Sequence, residues 1–379
     1  MSATGATLSA TFSGIPTDPA PQAAFFRYGT NSSSLSGEAY DNDVVINTSD
    51  GSFSADIASL NPGTTYYYQA VITLGDGSDV VGAVRSFTTT SGSSNIERHY
   101  LDNYEMPAVS VLTFSAGTEK PASDYGGTPC YSYTTDDANQ MVVSHTFTYK
   151  NSTMHNYTIL YDRSKRAALW AAFAMHSTIY PWEEDRYDKW GYDPGIPQDW
   201  QPDLSASYNS YQGLAYDRGH QVASNDRRTT IYQTRQTTYF SNMTPQLHDN
   251  FNGSVWSTLE GDIQKIGKAT TGNDMLYVVT GPIFDSGYKS TTDTNGKSCP
   301  IPTRYFKCIM KVTLSNGVPT AATGAAYLLV HENGASRQNT TINAIEQLTG
   351  FDFFANVPLE LQDAAEAETH PTSYFPQSN

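Results

Sequence analysis

Eight consecutive small polar residues, Thr88-Thr-Thr-Ser-Gly-Ser-Ser-Asn95, interrupt the chain about a quarter of the way along. Such a stretch has little apolar surface to bury and the composition of a linker, so no single core is expected to run through it. The 379 residues are therefore read as more than one domain, in keeping with roughly 150 residues per domain. The predicted boundaries are 1–90 for a first domain, 91–96 for a linker and 97–379 for a second domain. A hydrophobic content of 38% is enough to build real cores. No run approaches the roughly 20 apolar residues of a membrane span, and no heptad pattern marks a long coiled coil.

Before the linker lie short β-type runs separated by turn residues, with no helical period: Ala23–Tyr28, Asp43–Ile46, Tyr66–Leu74 and Ala83–Phe87. That pattern predicts an all-β sandwich. The segment Leu60-Asn-Pro-Gly-Thr-Thr-Tyr66 resembles the L-x-P-x-T-x-Y signature of fibronectin type III domains. The resemblance implies structural roles for Leu60, Pro62 and Tyr66, with Tyr66 packed as a tyrosine corner. This domain sets Arg27 and Arg85 against eight acidic residues, a net charge of -6. It is a poor candidate for binding nucleic acid and is read as a spacer or accessory module.

From residue 97 onward the pattern is mixed α+β. Strand-like runs are Met141–Tyr149, Tyr157–Tyr161, Leu276–Thr280, Tyr305–Val312 and Ala326–Val330. Lys165–His176, KRAALWAAFAMH, is rich in helix formers and reads as a helix, with a buried strand as the alternative. Asn252–Lys268 places Trp256, Leu259, Ile263 and Ile266 at the spacing of one buried helix face. After Arg337 no Lys or Arg follows, while Glu346, Asp352, Glu360, Asp363, Glu366 and Glu368 do, which predicts a solvated acidic surface element. Cys130, Cys299 and Cys308 lack zinc-site spacing. Cys299 and Cys308 could close a small disulfide loop, or stand as two reduced thiols. Abundant Tyr, Thr, Ser and Asn suit a secreted, periplasmic or cell-surface protein, although Met1-Ser2-Ala3-Thr4 does not begin a signal peptide.

The residues with chemical potential crowd into Arg186–Glu260. Here lie Tyr216-Asp-Arg-Gly-His220, then Tyr239-Phe-Ser-Asn-Met-Thr-Pro-Gln246, then Asn252-Gly-Ser-Val-Trp256-Ser-Thr-Leu-Glu260. On an extended segment Arg218 and His220 share a face, because strand side chains alternate. One is a permanent planar cation suited to phosphate; the other can accept a proton near neutral pH. Asn252, Trp256 and Glu260 follow at i, i+4 and i+8, drifting only about 40° per step on a helix. An amide oxygen and a carboxylate so placed could reach one hydrated cation, an arrangement suited to Mg²⁺.

These motifs together resemble the DNA/RNA non-specific endonuclease family, the sugar-non-specific ββα-metal (His-Me finger) nucleases that include endonuclease G. Asp217-Arg218-Gly219-His220 matches the D-R-G-H motif, Asn242 to Gln246 the N-x-x-P-Q strand, and Asn252, Trp256, Leu259 and Glu260 the N-x-x-x-W-x-x-L-E helix. The resemblance implies an α+β domain with a central antiparallel sheet and a metal-dependent hydrolysis of DNA and RNA phosphodiesters. It assigns His220 as general base, Asn252 as direct ligand of Mg²⁺ (or Mn²⁺), and Glu260 as ligand through water. Arg218 would bind phosphate, Asn242 would orient His220 or touch phosphate, and Gly219 would permit close approach. Many members carry Arg one turn after the Glu, where this chain has Gln264 followed by Lys265. The expected upstream Arg is assigned to Arg186, with Lys189 as competitor.

Each residue also has an ordinary explanation. Asn252 could be a helix N-cap, Glu260 an exposed carboxylate, and Arg218 a partner of Asp217 or Asp226. Arg227, Arg228 and Arg235 read as a solvated basic rim. The remaining histidines, His99, His145, His155, His176, His248, His331 and His370, show no ligand spacing and are read as structural. Rival functions are a phosphodiesterase for smaller esters and a non-catalytic binding or adhesion protein. Residues 93–379 hold 20 of the 22 basic and 30 of the 38 acidic residues, a net of -10, so attraction to a polyanion must rest on a few local contacts. A plot of log affinity against log salt is expected to be shallow; a slope matching 8–10 phosphate contacts, as flagged by roughly -0.9 per phosphate, would contradict this.

Overall fold

The computed structural model describes residues 5–32, 34–40, 50–58, 60, 64–89, 98–118 and 128–369. The predicted strand Asp43–Ile46, Pro62, the predicted linker 91–96 and His370 lie outside the described residues. The chain divides into two compact units, Met1–Ile96 and Glu97–Asn379.

The first unit is built from β1 (Gly5–Phe12), β2 (Ala23–Gly29), β3 (Gly37–Tyr40), β4 (Gly51–Ala58), β5 (Thr65–Thr73), β6 (Asp79–Val81) and β7 (Arg85–Thr88). β1 pairs with β4, and a second antiparallel sheet runs β3-β2-β5-β6, with β7 also on β5. Leu8, Phe53 and Ile57 from the first sheet and Phe26, Tyr66 and Ile72 from the second share one core, together with Leu60. Tyr66 is buried with its ring stacked on Phe87, 5.8 Å between centroids.

The second unit centres on nine antiparallel strands. They are β8 (Thr113–Thr118), β9 (Pro129–Thr134), β10 (Gln140–Tyr149), β11 (Ser152–Asp162), β12 (Ala167–Met175), β15 (Asp274–Ile283), β18 (Arg304–Ser315), β19 (Val318–Val330) and β20 (Gln338–Thr340), adjacent in that order. β13 (Tyr216–His220) with β14 (Met243–Leu247), and β16 (Ser290–Thr292) with β17 (Ser298–Pro300), form separate two-stranded ribbons. Helices are α1 (Ile231–Gln236), α2 (Ser257–Ala269), α3 (Ile342–Thr349) and α4 (Leu359–Glu366).

The large sheet is covered on both faces, and alternation along β18 shows how. Tyr305 and Ile309 point into the core that also holds Trp256, Leu259 and Ile263 of the α2 region. Between them on the opposite face, Phe306 stacks on Phe353, and Cys308 lies against the α3–α4 region. α4 seats where Gly324 leaves room: a Cβ there would stand 2.3 Å from the Ala365 carbonyl oxygen. Only glycine permits that approach of backbone to backbone.

Double coverage explains the reading that fails. Residues 167–175 form strand β12, not a helix, pairing with β11 and β15. Covered on both sides, a strand shows a continuous apolar run, and tertiary pairing overrides the helix preference of its alanines. The acidic tail follows expectation at Asp352, Glu360 and Asp363, which are exposed, and departs from it at Glu366. Glu366 is only 3% exposed, and α4 packs through Gln362 and Ala365 rather than standing in solvent. All three cysteines are buried free thiols, so Cys299 and Cys308 are not bonded.

The predicted basic rim fails at its first member. Arg227 is fully buried, donating to the carbonyls of Asn156 (3.1 Å) and Ala174 (2.8 Å), with its guanidinium between Phe173 and Tyr180. Arg228 pairs with Asp185 at 2.7 Å, and Arg235 lies over the Tyr187 ring. Arg227 therefore clamps β11 to β12 just past their last paired residues, Thr158 and Ala172, instead of meeting solvent. Arg227→Ala is expected to lower unfolding free energy by about 3 kcal/mol, since it strands buried carbonyls and opens a void. Urea denaturation of the variant decides the point, and unchanged stability would remove the clamp from the account.

Candidate active site

The site begins with the β13–β14 ribbon. Its register sets Tyr216 opposite Leu247, Asp217 opposite Gln246, Arg218 opposite Pro245, Gly219 opposite Thr244 and His220 opposite Met243. A Cβ on Gly219 would lie 2.3 Å from the Gln246 side chain, which is itself buried. The glycine thus admits a side chain from the facing strand, where sequence reading assigns it close backbone approach.

Asn242 closes the ribbon. Its Oδ1 accepts from the Val222 amide at 2.9 Å, and its Nδ2 donates to the carbonyls of Val222 (2.9 Å) and Thr237 (2.7 Å). Its backbone carbonyl takes the Gln221 amide at 3.0 Å. The side chain has no exposure, so it cannot touch a phosphate. Of the two expected roles, only holding the chain beside His220 is open to it.

After β14 the chain makes a wide, irregular turn over His248–Trp256, with Asn250 at a φ of 60°, before entering α2. Asn252 sits on this turn and not on a regular helix, and it caps nothing. The helical spacing holds only in part. Asn252 and Glu260 reach the same hollow, while Trp256 between them is buried in the core. The latch on this turn is His331, whose Nε2 accepts from the Leu247 amide at 2.9 Å while Nδ1 donates to Pro302 O at 2.7 Å.

One cavity of about 430 Å³ gathers Arg186, Trp190, Asp217, Arg218, His220, Asn252 and Glu260. Arg218 places its guanidinium carbon over Trp190, 3.8 Å from the ring centroid, and donates to Leu204 O at 3.1 Å. It is bonded to neither Asp217 nor Asp226. The edge of Trp190 also meets the His220 imidazole, 5.6 Å between centroids. Burial, joined by the nearby charges of Arg186 and Arg218, pulls His220 down to about 3, so its imidazole is neutral at physiological pH. Its Nε2 lies 3.3 Å from Ser224 Oγ. Arg186 stands exposed at the rim, held bidentately by Asp188 at 2.8 and 3.1 Å.

Gln264 is not among the residues that line this cavity. Lys189 is likewise not among the cavity's residues, and its amide donates to Thr238 Oγ1 at 3.2 Å.

Sequence reasoning missed several supporting residues. Asp217 accepts from Asn252 Nδ2 through one oxygen and from His248 Nδ1 through the other, both at 2.8 Å. Its place inside the D-R-G-H motif was the available signal. Asp217 in turn pushes the exposed His248 upward. Beneath the floor, Lys307 is 1% exposed, with its ammonium 4.4 Å from the Trp256 ring centroid. Burial pushes Glu260 above the carboxylate range against the pull of Lys307, with Asp226 adding to the rise. Lys307 belongs to a largely apolar strand that also carries Arg304 and Lys311, and no motif would have exposed it. Glu260 Oε1 is buried without a hydrogen-bond partner. Finally, Trp190 depends on a loop fixed by Asp193, whose Oδ2 meets His145 Nε2 (3.0 Å) and accepts from Ser241 Oγ (2.6 Å).

Known proteins share this arrangement of sequence. The DNA/RNA non-specific endonuclease family matches residues 135–360. A nuclease of Nostoc sp. is 27% identical over 222 residues, which is 56% of this chain and 76% of that protein. The mitochondrial nuclease 1 of Schizosaccharomyces pombe is 27% identical over 220 residues, covering 54% and 66% respectively. Nuclease C1 of Cunninghamella echinulata is 28% identical over 229 residues, covering 56% and 86%.

The His331 latch gives a pH test. Burial lowers its folded pKa to about 4, below the ordinary histidine value of 6.5. The unfolded chain therefore takes up this proton first, and the stabilisation present above about 6.5 is lost as pH falls toward 4. His331→Gln is expected to flatten the wild-type loss of stability across that window by about one proton. Denaturation midpoints at matched pH values measure it, and identical slopes would rule the latch out.

Proposed function

The chain belongs to the DNA/RNA non-specific endonuclease family, and from that premise we propose that residues 97–379 hydrolyse phosphodiester bonds in both DNA and RNA with one bound divalent cation. The observation that carries this reading is the convergence of His220, Arg218, Asn252 and Glu260 on one hollow. In this reading the β13–β14 ribbon followed by α2 is the ββα-metal element. His220, neutral because burial and two nearby guanidinium groups disfavour its charge, accepts the proton of the attacking water. Arg218, held over Trp190, presents its remaining donors to a phosphate oxygen. Arg186 is a rim contact that a phosphate would draw from Asp188. Contacts to phosphate carry no base identity, so little base preference is expected.

The donor set fits a hard cation. Asp217 engages the Asn252 amide nitrogen and leaves the amide oxygen as the group available to a metal. Glu260 Oε1 is buried and lacks a partner, as an acceptor of a metal-bound water would be in the metal-free chain. Asn252 would hold Mg²⁺ or Mn²⁺ directly and Glu260 through water, with Asp217 fixing the amide. A cation there supplies electrostatic stabilisation of charge on the phosphate and the leaving oxygen.

The fibronectin type III resemblance, with two antiparallel sheets around one core, supports an accessory role for the first unit. A secreted, periplasmic or cell-surface location is part of the same proposal, supported by the polar, Tyr-rich composition. Fractionation of the native cells tests it, and recovery in the cytosol alone would refute it.

Plasmid DNA and RNA are both expected to be degraded in Mg²⁺ and spared in chelator. His220→Ala should lower kcat by about 10³. Asn252→Ala should raise the Mg²⁺ needed for half-maximal rate. Degradation that survives both chelation and His220→Ala would overturn this mechanism.

A further inference from the structure

A second cluster of oxygen donors lies on the face of the sheet that the proposed nuclease chemistry does not use. Glu346, Asp352 and Glu366 each offer a carboxylate oxygen, and these oxygens all lie within 4.8 Å of one another. An acidic cluster alone says little, since such groups commonly face water. Here one member does not. Glu366 is 3% exposed, and its Oε1 has no hydrogen-bond partner. An ionised carboxylate so buried is expensive unless a cation or a set of donors meets it.

No cation among the described residues acts on Glu346 or Glu366. Among the described residues no ion pair reaches any of the three, and the sequence has no Lys or Arg after Arg337. Local backbone fields sharpen the deficit. Glu346 lies in the last turn of α3 and Glu366 ends α4, and neither helix has a basic residue in its last turn. Both carboxylates therefore sit where the helix dipole favours positive charge.

Other contacts hold the groups without neutralising them. Glu346 Oε1 accepts the Phe353 amide at 2.7 Å, and Asp352 Oδ1 accepts from Gln362 Nε2 at 3.0 Å. The three donors thus come from α3, the following loop and α4, already oriented toward one point. Asp352 is exposed, which leaves one side of that point open to water.

We propose that Glu346, Asp352 and Glu366 bind a Ca²⁺ ion that fastens α3, the 350–358 loop and α4 to one another. Oxygen-only donors, three carboxylates and an open side for water suit Ca²⁺, which takes 6–8 oxygen ligands in flexible geometry, better than the strict octahedron of Mg²⁺. The site is separate from the hollow beneath His220 and does not depend on the reading of that hollow. Its effect is on stability: α4 meets β19 at the Gly324–Ala365 contact, and the Gly324 amide donates to Glu368 Oε2 at 2.8 Å.

The full chain is stripped with chelator and its melting is followed in roughly 5 mM CaCl₂, a concentration suited to sites of the weaker extracellular class. Wild type should gain about 3 °C or more. Mg²⁺ at the same concentration should give a smaller gain. Glu366→Gln should abolish the Ca²⁺ shift. Asp352→Asn, at an exposed position that leaves the fold intact, should reduce it. Glu260→Gln, in the other hollow, should keep it. A Ca²⁺ shift that persists undiminished in both Glu366→Gln and Asp352→Asn would overturn the proposal. So would its absence in wild type.

Discussion

The buried amide of Asn242 is the constraint on which the rest of the site depends. It joins both backbone groups of Val222 to the carbonyl of Thr237, two residues beyond the end of β13. Each bond contributes only about 1 kcal/mol net, but leaving the Val222 amide and two carbonyls unmet in a dry interior costs more than their sum suggests. The strand therefore leaves the ribbon in one direction. His220, immediately before that exit, inherits its position from a residue that never meets substrate.

Around this fixed point the site is built from charges with little water to share. Trp190 lies against both Arg218 and His220, so one aromatic ring sets the guanidinium position and one wall of the imidazole. Lys307 is fully enclosed and faces Asp226 and Glu260 from below. Such a group is retained at a cost, since buried ion pairs seldom stabilise a fold beyond what apolar replacements would. Here its attraction opposes, without cancelling, the burial that raises Glu260 to about 7.

Much of this was legible beforehand. The motif strands and the α2 helix follow from short, local patterns, and the five predicted strand runs of the second unit lie in or along β10, β11, β15, β18 and β19. The grouping of Arg218 with His220 follows from strand alternation. What escaped was set by the third dimension. The apolar run 167–175 reads alike as helix or doubly covered strand, and only its neighbours decide. Arg227 reads as surface because arginine usually is, yet carbonyls of β11 and β12 and two rings draw it inside. Asp217, His248 and Lys307 gain their roles from partners 31 to 86 residues away, or from atoms of another strand, and no local period encodes such distances. Gln264 shows the reverse: its place in the motif suggested phosphate, but its side chain is not among those lining the cavity.

The tight spot at Gly219 has an evolutionary corollary. The space that any larger residue would need there is filled by Gln246, a side chain with no route to solvent. Codon changes at 219 are thus deleterious until 246 has first become smaller, and shrinking 246 alone opens a void in the ribbon. Lineages drifting through neutral substitutions should find these two positions locked as a pair, passing together or not at all.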